Sequence, residues 1–222
     1  MKIAIDGPSG SGKSTVAKRI SQLLSIPYLD TGSVYRAFAY VAKVKNIDTS
    51  KVCDVLKLFE NNIEVKLYLS RMEIFYMERK LERELKDEEI GRGASLIASV
   101  PEFRERMVEF FRKLVGDGQV VAEGRDVGTH IFPDAPIKLF ITASLEERAK
   151  RRHKELLSMG ENVSYETVFR ALEERDKRDV ERPVYPFKPA TDAILIDTTD
   201  MSVDRVVEMA LSMIKKIYTF NR

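Results

Sequence analysis

One cysteine, Cys53, leaves no partner for an intrachain disulfide, and the two histidines, His130 and His153, stand too far apart for a local metal motif. A disulfide scaffold and a zinc-ribbon type of site are thereby excluded; both histidines read as structural, and Cys53 reads as a small packing residue in an amphipathic stretch. No apolar run approaches the roughly 20 residues that a membrane helix needs. Neither sign of charge prevails, since 37 Lys and Arg face 35 Asp and Glu for a formal charge of +2. Such balance gives no general affinity for nucleic acid or a membrane surface, so an anionic partner must be gripped locally. Gln and Asn are scarce while charged residues reach 32%, a bias that leans toward a heat-adapted protein. Internal repeats and low-complexity segments are missing as well. Met1 leads directly into Lys2-Ile3-Ala4-Ile5-Asp6, which reads as a strand and not as a secretory leader, and a cytoplasmic location is expected.

With 222 residues, 44% of them hydrophobic, the chain is long enough for one sizeable core, and a single domain over 1–222 is expected. A strand at Lys2 to Asp6, a Gly/Ser turn and helical spacing at Val16, Ala17, Ile20, Leu23 and Leu24 open it. A second strand is read at Pro27 to Asp30, then a helix carrying Tyr35, Phe38, Ala39 and Ala42. From Asn61 the period changes: Ile63, Val65, Leu67 and Leu69 alternate and Ile74 to Met77 follow, which predicts a small antiparallel insertion. Helical spacing returns near Asp87, and Pro101 suits the first turn of a helix that Gly116 and Gly118 end. Val120-Val121-Ala122 and Ile137 to Ile141 are short apolar runs, as strands covered on both faces should be. Ser144 with Glu147 has capping-box spacing for a helix to about Leu157, and Ser164 caps another. A last strand, Ala193 to Ile196, precedes a helix with Val203, Val206, Val207, Ala210, Leu211 and Ile214 on one face. Strands alternating with helices predict an α/β fold with a parallel sheet covered on both sides.

Gly7-Pro8-Ser9-Gly10-Ser11-Gly12-Lys13-Ser14 matches G-x-x-x-x-G-K-S/T in full, between a strand and a helix as that motif requires. Its N–H groups and the following helix N-terminus, with Thr15 in the first turn, supply positive potential for a triphosphate. Lys13 is placed to bridge the β- and γ-phosphates, and Ser14 to ligate Mg²⁺. A nucleoside triphosphate, ATP, is the expected ligand. What is done with it stays open at this level. A switch GTPase should carry an N-K-x-D motif, and a mechanical ATPase an apolar strand ending in acid; neither is clear, although Val120-Val121-Ala122-Glu123 is a weak imitation of the second. Arginines set beside acids better suit two phosphorylated substrates, and a catalytically inert nucleotide sensor is the blandest alternative.

Four further segments complete the pattern: Leu29-Asp30-Thr31-Gly32-Ser33-Val34-Tyr35-Arg36, Glu123-Gly124-Arg125-Asp126-Val127-Gly128-Thr129, Ser144 to Arg152, and Glu174-Arg175-Asp176-Lys177-Arg178-Asp179. With the phosphate-binding loop they closely resemble the bacterial cytidylate kinases over nearly the whole chain. The resemblance implies a three-layer P-loop fold with a parallel five-stranded sheet, a monophosphate-binding insertion over 62–95 and a short lid over 150–163 that turns at Gly160. It implies transfer of the γ-phosphoryl group of ATP to CMP or dCMP, with another small acceptor such as UMP as the alternative and a nucleotide-hydrolysing switch a more distant one. Arg36, Arg125 and Arg182 would hold the acceptor phosphate beside Thr31. Arg175 and Asp179 would touch the ribose, and Ser95, Arg104 and Asp126 would read the base. Arg151 and Arg152 would approach ATP and the migrating group from the lid helix, so that Lys13, Arg125, Asp126 and Arg151 form the reacting centre. A monomer is expected. Read singly, these residues have plainer explanations: Arg175 with Asp179 and Asp126 with Arg125 as ion pairs, and the basic face of Arg148, Arg151 and Arg152 as a solvated one.

Overall fold

A computed structural model of the protein describes residues 1–182 and 184–220. Five strands, β1 (Lys2–Asp6), β2 (Tyr28–Asp30), β6 (Val120–Gly124), β7 (Ile137–Thr142) and β8 (Ile194–Asp197), form one parallel sheet in the order β2-β6-β1-β7-β8. Helices cover both faces. Because side chains alternate along a strand, Ile3 and Ile5 pack with α1 (Lys13–Leu24) and α8 (Val203–Phe220), while Ala4 between them faces α2 (Thr31–Val44) and α5 (Pro101–Val115). The second side is the aromatic one, with Phe38, Phe59 and Phe103 in mutual contact and Phe111 against Tyr35, under the short helix α3 (Val52–Leu56). Cys53 points outward from α3 and is exposed, with Val55 as the buried residue there; one helical face cannot bury both, and the larger side chain is inside. This corrects the expectation that Cys53 packs in the core.

The insertion is a three-stranded antiparallel sheet, β3 (Ile63–Leu67), β4 (Met72–Tyr76) and β5 (Arg79–Leu81), followed by a 3₁₀ turn and α4 (Glu88–Ile97). Val65, Ile74, Tyr76 and Leu81 bury one face of it against α2. Its first hairpin also closes the open edge of β2: the Tyr28 N–H donates to the Tyr68 carbonyl oxygen at 2.9 Å, and Pro27 bridges Leu69. On the opposite side of the sheet's carboxyl end, α6 (Leu145–Ser158) and α7 (Tyr165–Val180) pack as a hairpin on Ala149, Leu156, Val168 and Leu172. Ser144 and Ser164 cap these two helices, each accepting an N–H three residues on. Gly160, at φ 85°, turns the chain between them, and His153 Nε2 lies 2.9 Å from the Val163 carbonyl oxygen within that turn. The region expected as a lid comprises the second half of α6 and this turn.

Candidate active site

The phosphate-binding loop leaves β1 and enters α1. Gly10 at φ 76° and Gly12 at φ 85° make the left-handed bends that aim successive N–H groups inward. A side chain at Gly10 would run into the backbone of Arg148. Ser9 to Thr15 line a cavity of about 900 Å³ that extends under α6 and α7 and is also lined by Arg151 and Arg152. Gly7 and Pro8 do not line it; they are buried behind its wall, where the Pro8 carbonyl oxygen accepts a bond from Lys13 Nζ at 3.3 Å. Burial, with the Arg125 charge behind it, lowers the Lys13 ammonium to about 8.

A carboxylate that the sequence only hinted at faces this loop. Glu123, 2% exposed at the end of β6, accepts from Ser14 Oγ at 2.8 Å and from the Tyr28 hydroxyl, and lies 3.8 Å from Lys13 Nζ. Burial raises its pKa, and the Asp30 charge adds to the rise. Arg148 was also underrated. It is buried, bonding the Ala143 and Ser9 carbonyl oxygens at 3.0 and 3.3 Å and pairing with Asp176 at 2.6 Å, so it ties the loop to α6 and α7. Of the basic face read from the sequence, Arg151 reaches Thr198 Oγ1 and its carbonyl oxygen at 3.0 and 2.7 Å, and Arg152 spans Glu155 and, across the cavity mouth, Glu88 of α4.

A second cavity, about 190 Å³, opens beside the first. Thr31, Arg36, Ser95, Arg104, Arg125, Asp126, Arg175, Asp179 and Arg182 all line it, so residues spread over 152 positions converge on one hollow. The two cavities share Ser9, Lys13, Ser14, Asp30, Ser33, Arg36 and Arg175. α2 delivers Thr31, whose hydroxyl donates to the Glu123 carbonyl oxygen at 2.8 Å, and Arg36, which donates to the Leu85 carbonyl oxygen at 3.0 Å. The ion pairs differ from those suggested by sequence proximity. Asp126 pairs with Arg104 at 2.7 Å, not with adjacent Arg125, because successive residues after β6 project to different sides. Arg125 turns back to the Gly7 carbonyl oxygen at 2.8 Å and to Asp179 at 3.0 Å. Asp179 takes Arg182 as its second partner and not Arg175, four residues before it on α7.

These cations are crowded. Burial, then the charges of Arg125 and Arg36, push the Arg175 guanidinium down to about 9, and burial with Arg104 pushes Arg182 down to about 10. Arg104 Nε, Arg175 Nε and Arg182 Nη1 are buried without a hydrogen-bond partner. A hollow with surplus positive charge and unused donors is built to receive an anion carrying further polar groups. Tyr185, at φ 55°, packs against the His130 ring over this end of the molecule, a contact with no signal in the sequence.

The model of the family described as "Cytidylate kinase" matches residues 3–216. A protein named cytidylate kinase from Aquifex aeolicus is 53% identical over 215 residues, covering 96% of each chain. Another of that name from Carboxydothermus hydrogenoformans is 41% identical, covering 96% of this chain and 97% of the relative. Among solved structures, an uncharacterized protein from Eubacterium ventriosum superposes with a TM-score of 0.53 at 18% identity, over 97% of this chain and 98% of that one, a likeness of fold.

Proposed function

The chain belongs to the cytidylate kinase family, and from that premise we infer that it transfers the γ-phosphoryl group of ATP to CMP or dCMP, releasing ADP and CDP or dCDP. The observation that carries this reading onto particular residues is the meeting of two cavities at Lys13. A donor in the larger and an acceptor in the smaller would face each other across its ammonium. Phosphoryl transfer asks for in-line placement and neutralisation of charge more than for a strong base, and that is what a lysine ringed by guanidinium groups supplies.

In this reading the loop N–H groups from Ser9 to Thr15 hold the triphosphate, with Gly7 and Pro8 shaping the loop from behind. Arg151 and Arg152 come onto the migrating group from α6. Arg36, Arg125 and Arg182 grip the acceptor phosphate beside Thr31; Arg175 and Asp179 meet the ribose; Ser95, Arg104 and Asp126 meet the base. The depressed Arg175 and Arg182 support this, since a bound phosphate would relieve their crowding. For the donor's Mg²⁺, Ser14 Oγ and the Glu123 carboxylate fit as a pair of hard oxygen ligands, the phosphates supplying the rest, and no three-residue metal cluster exists among the described residues. When bound, the ion offsets charge on the β- and γ-phosphate oxygens. Tyr28 and Ser14 hold Glu123 in the orientation this needs. Segments 62–95 and 150–163 close over the substrates and exclude water, which would otherwise take the phosphoryl group. The protein works as a cytoplasmic monomer on small nucleotides, in keeping with its near-balanced charge; among the described residues no helix is long and apolar enough to cross a membrane.

ADP release measured with ATP and a panel of monophosphates tests the reading. CMP and dCMP are expected to be the fastest acceptors and UMP a slow one, with little ADP formed when no acceptor is present. Equal ADP release with and without acceptor would identify a hydrolase instead. Arg125→Lys keeps the charge but loses the fork that bonds Asp179, the Gly7 carbonyl oxygen and a phosphate together, so kcat/KM for CMP should fall about tenfold or more. An unchanged value would move Arg125 out of the acceptor site.

A further inference from the structure

Asp6 closes β1 immediately ahead of the phosphate-binding loop, and neither cavity is lined by it. Its carboxylate is buried, and both oxygens are engaged: Oδ1 accepts the Val127 N–H at 2.9 Å and Oδ2 the Gly128 N–H at 2.8 Å. Those amides open the π-turn Val127–Ile131, and as the first N–H groups of a helical turn they have no partner from within it. The rest of the turn closes on itself, with the His130 and Ile131 N–H groups donating to the Asp126 carbonyl oxygen at 2.9 and 3.1 Å. One residue further along the loop, the Gly7 carbonyl oxygen accepts Arg125 Nη1. Two neighbouring residues therefore grip the four-residue run 125–128 by three bonds, and the first half of that run is Arg125 and Asp126.

The choice of a carboxylate at this place is informative. Burial pushes the Asp6 carboxyl up to about 7, the two amide bonds oppose the rise, and the Asp126 charge adds to it. A buried acid is a costly filler, whereas an apolar residue would leave two buried amides unpaired. The bonds also join the strand carrying the donor loop to the turn carrying the acceptor groups.

We propose that Asp6 is a positioning residue for the acceptor. By holding the Val127 and Gly128 amides it fixes where the Arg125 guanidinium and the Asp126 carboxylate stand relative to the phosphate-binding loop. The inference rests on the assignment of Arg125 and Asp126 to the acceptor site. Donor binding depends on it much less, because the loop N–H groups, Lys13 and Arg148 are held by other bonds.

Asp6→Asn separates these roles, since its amide can accept one N–H but turns a donor toward the other. KM for CMP is expected to rise about tenfold, from the loss of one satisfied buried amide, while KM for ATP stays within about threefold. The thermal shift produced by CMP should shrink and that produced by ATP persist. Both KM values rising together, no change in either, or a variant that fails to fold or to bind ATP would each overturn the proposal by making Asp6 a general structural residue or an idle one. Arg125→Lys is run beside it. If that variant leaves KM for CMP untouched, the acceptor assignment itself has failed; if it raises KM and Asp6→Asn does not, only the role of Asp6 falls.

Discussion

Lys13→Ala is expected to lower turnover about a hundredfold or more while the protein remains folded. The ammonium stands where both cavities meet, 3.3 Å from the Pro8 carbonyl oxygen and 3.8 Å from Glu123, with no flexible search left to make. Its value comes from being placed in advance, in a site from which water is largely excluded. The fold should tolerate the loss because Lys13 is a strained cation. Its pKa is depressed to about 8 from 10.5, mainly by burial and next by Arg125, so the folded state disfavours the protonated form. That cost to stability is fully present below pH 8 and is relieved as the pH rises toward 10.5. Removing the amine at pH 7 therefore removes a penalty, and Glu123 keeps its bonds to Ser14 and Tyr28. Steady-state turnover and the melting midpoint, measured together at pH 7, check both halves. Near-normal turnover in the folded variant would remove Lys13 from the reacting centre.

The second large effect is expected at Asp126. Cytosine offers an amino donor where uracil offers a carbonyl acceptor, so a carboxylate attracts the first and repels the second. A well-formed contact to a base edge is worth about 1–3 kcal/mol, which makes Asp126→Ala lower kcat/KM for CMP by roughly ten- to a hundredfold and collapse the preference over UMP. The Arg104 pairing adds a consequence for stability. Both side chains are almost wholly buried, 2.7 Å apart, and burial alone would lower the Arg104 guanidinium; Tyr35 and Asp126 beside it reverse that and leave it above its usual value. Deleting the acid strands the cation, a loss of about 3–5 kcal/mol for a buried pair broken on one side. Asp126→Asn keeps the shape and a bond to Arg104, so it should retain more stability than alanine while still losing the preference. If CMP and UMP activities fall by one common factor in both variants, Asp126 does not read the base.

What could be read from the chain alone follows from where each kind of information resides. The phosphate-binding loop works through consecutive backbone N–H groups, so Gly7 to Ser14 carries its own geometry in one contiguous string. The strands of the parallel sheet were legible for a similar reason, as apolar runs covered on both faces. The proposed acceptor site is a different kind of object. Thr31, Ser95, Arg125 and Arg182 come from four separate segments, and only likeness to a family could gather them in advance. Their partners were beyond reach, because the choice of Arg104 over Arg125 by Asp126 depends on which way the chain turns after β6. Glu123 was half legible as an acid ending an apolar strand, whereas Asp6 looked like an ordinary strand end. The third strand of the insertion was missed for a local reason: the turn Met77-Glu78 takes φ of 48° and 64° without the Asn or Gly that advertises such a hairpin.

The hairpin seated on β2 gives the insertion a second task beside the proposed covering of the substrates. A sheet edge shows a row of unpaired amides and carbonyls to any other chain with a free edge of its own. Here the Tyr68 carbonyl oxygen and the Pro27–Leu69 bridge occupy that row, and Val65, Ile74, Tyr76 and Leu81 shield the apolar flank of α2. Trimming the chain to a minimal nucleotide-binding core by cutting out 62–95 would therefore uncover a sticky strand and a greasy helix together. On the proposed reading, the piece that closes over the acceptor also covers the strand edge through which two copies would otherwise pair.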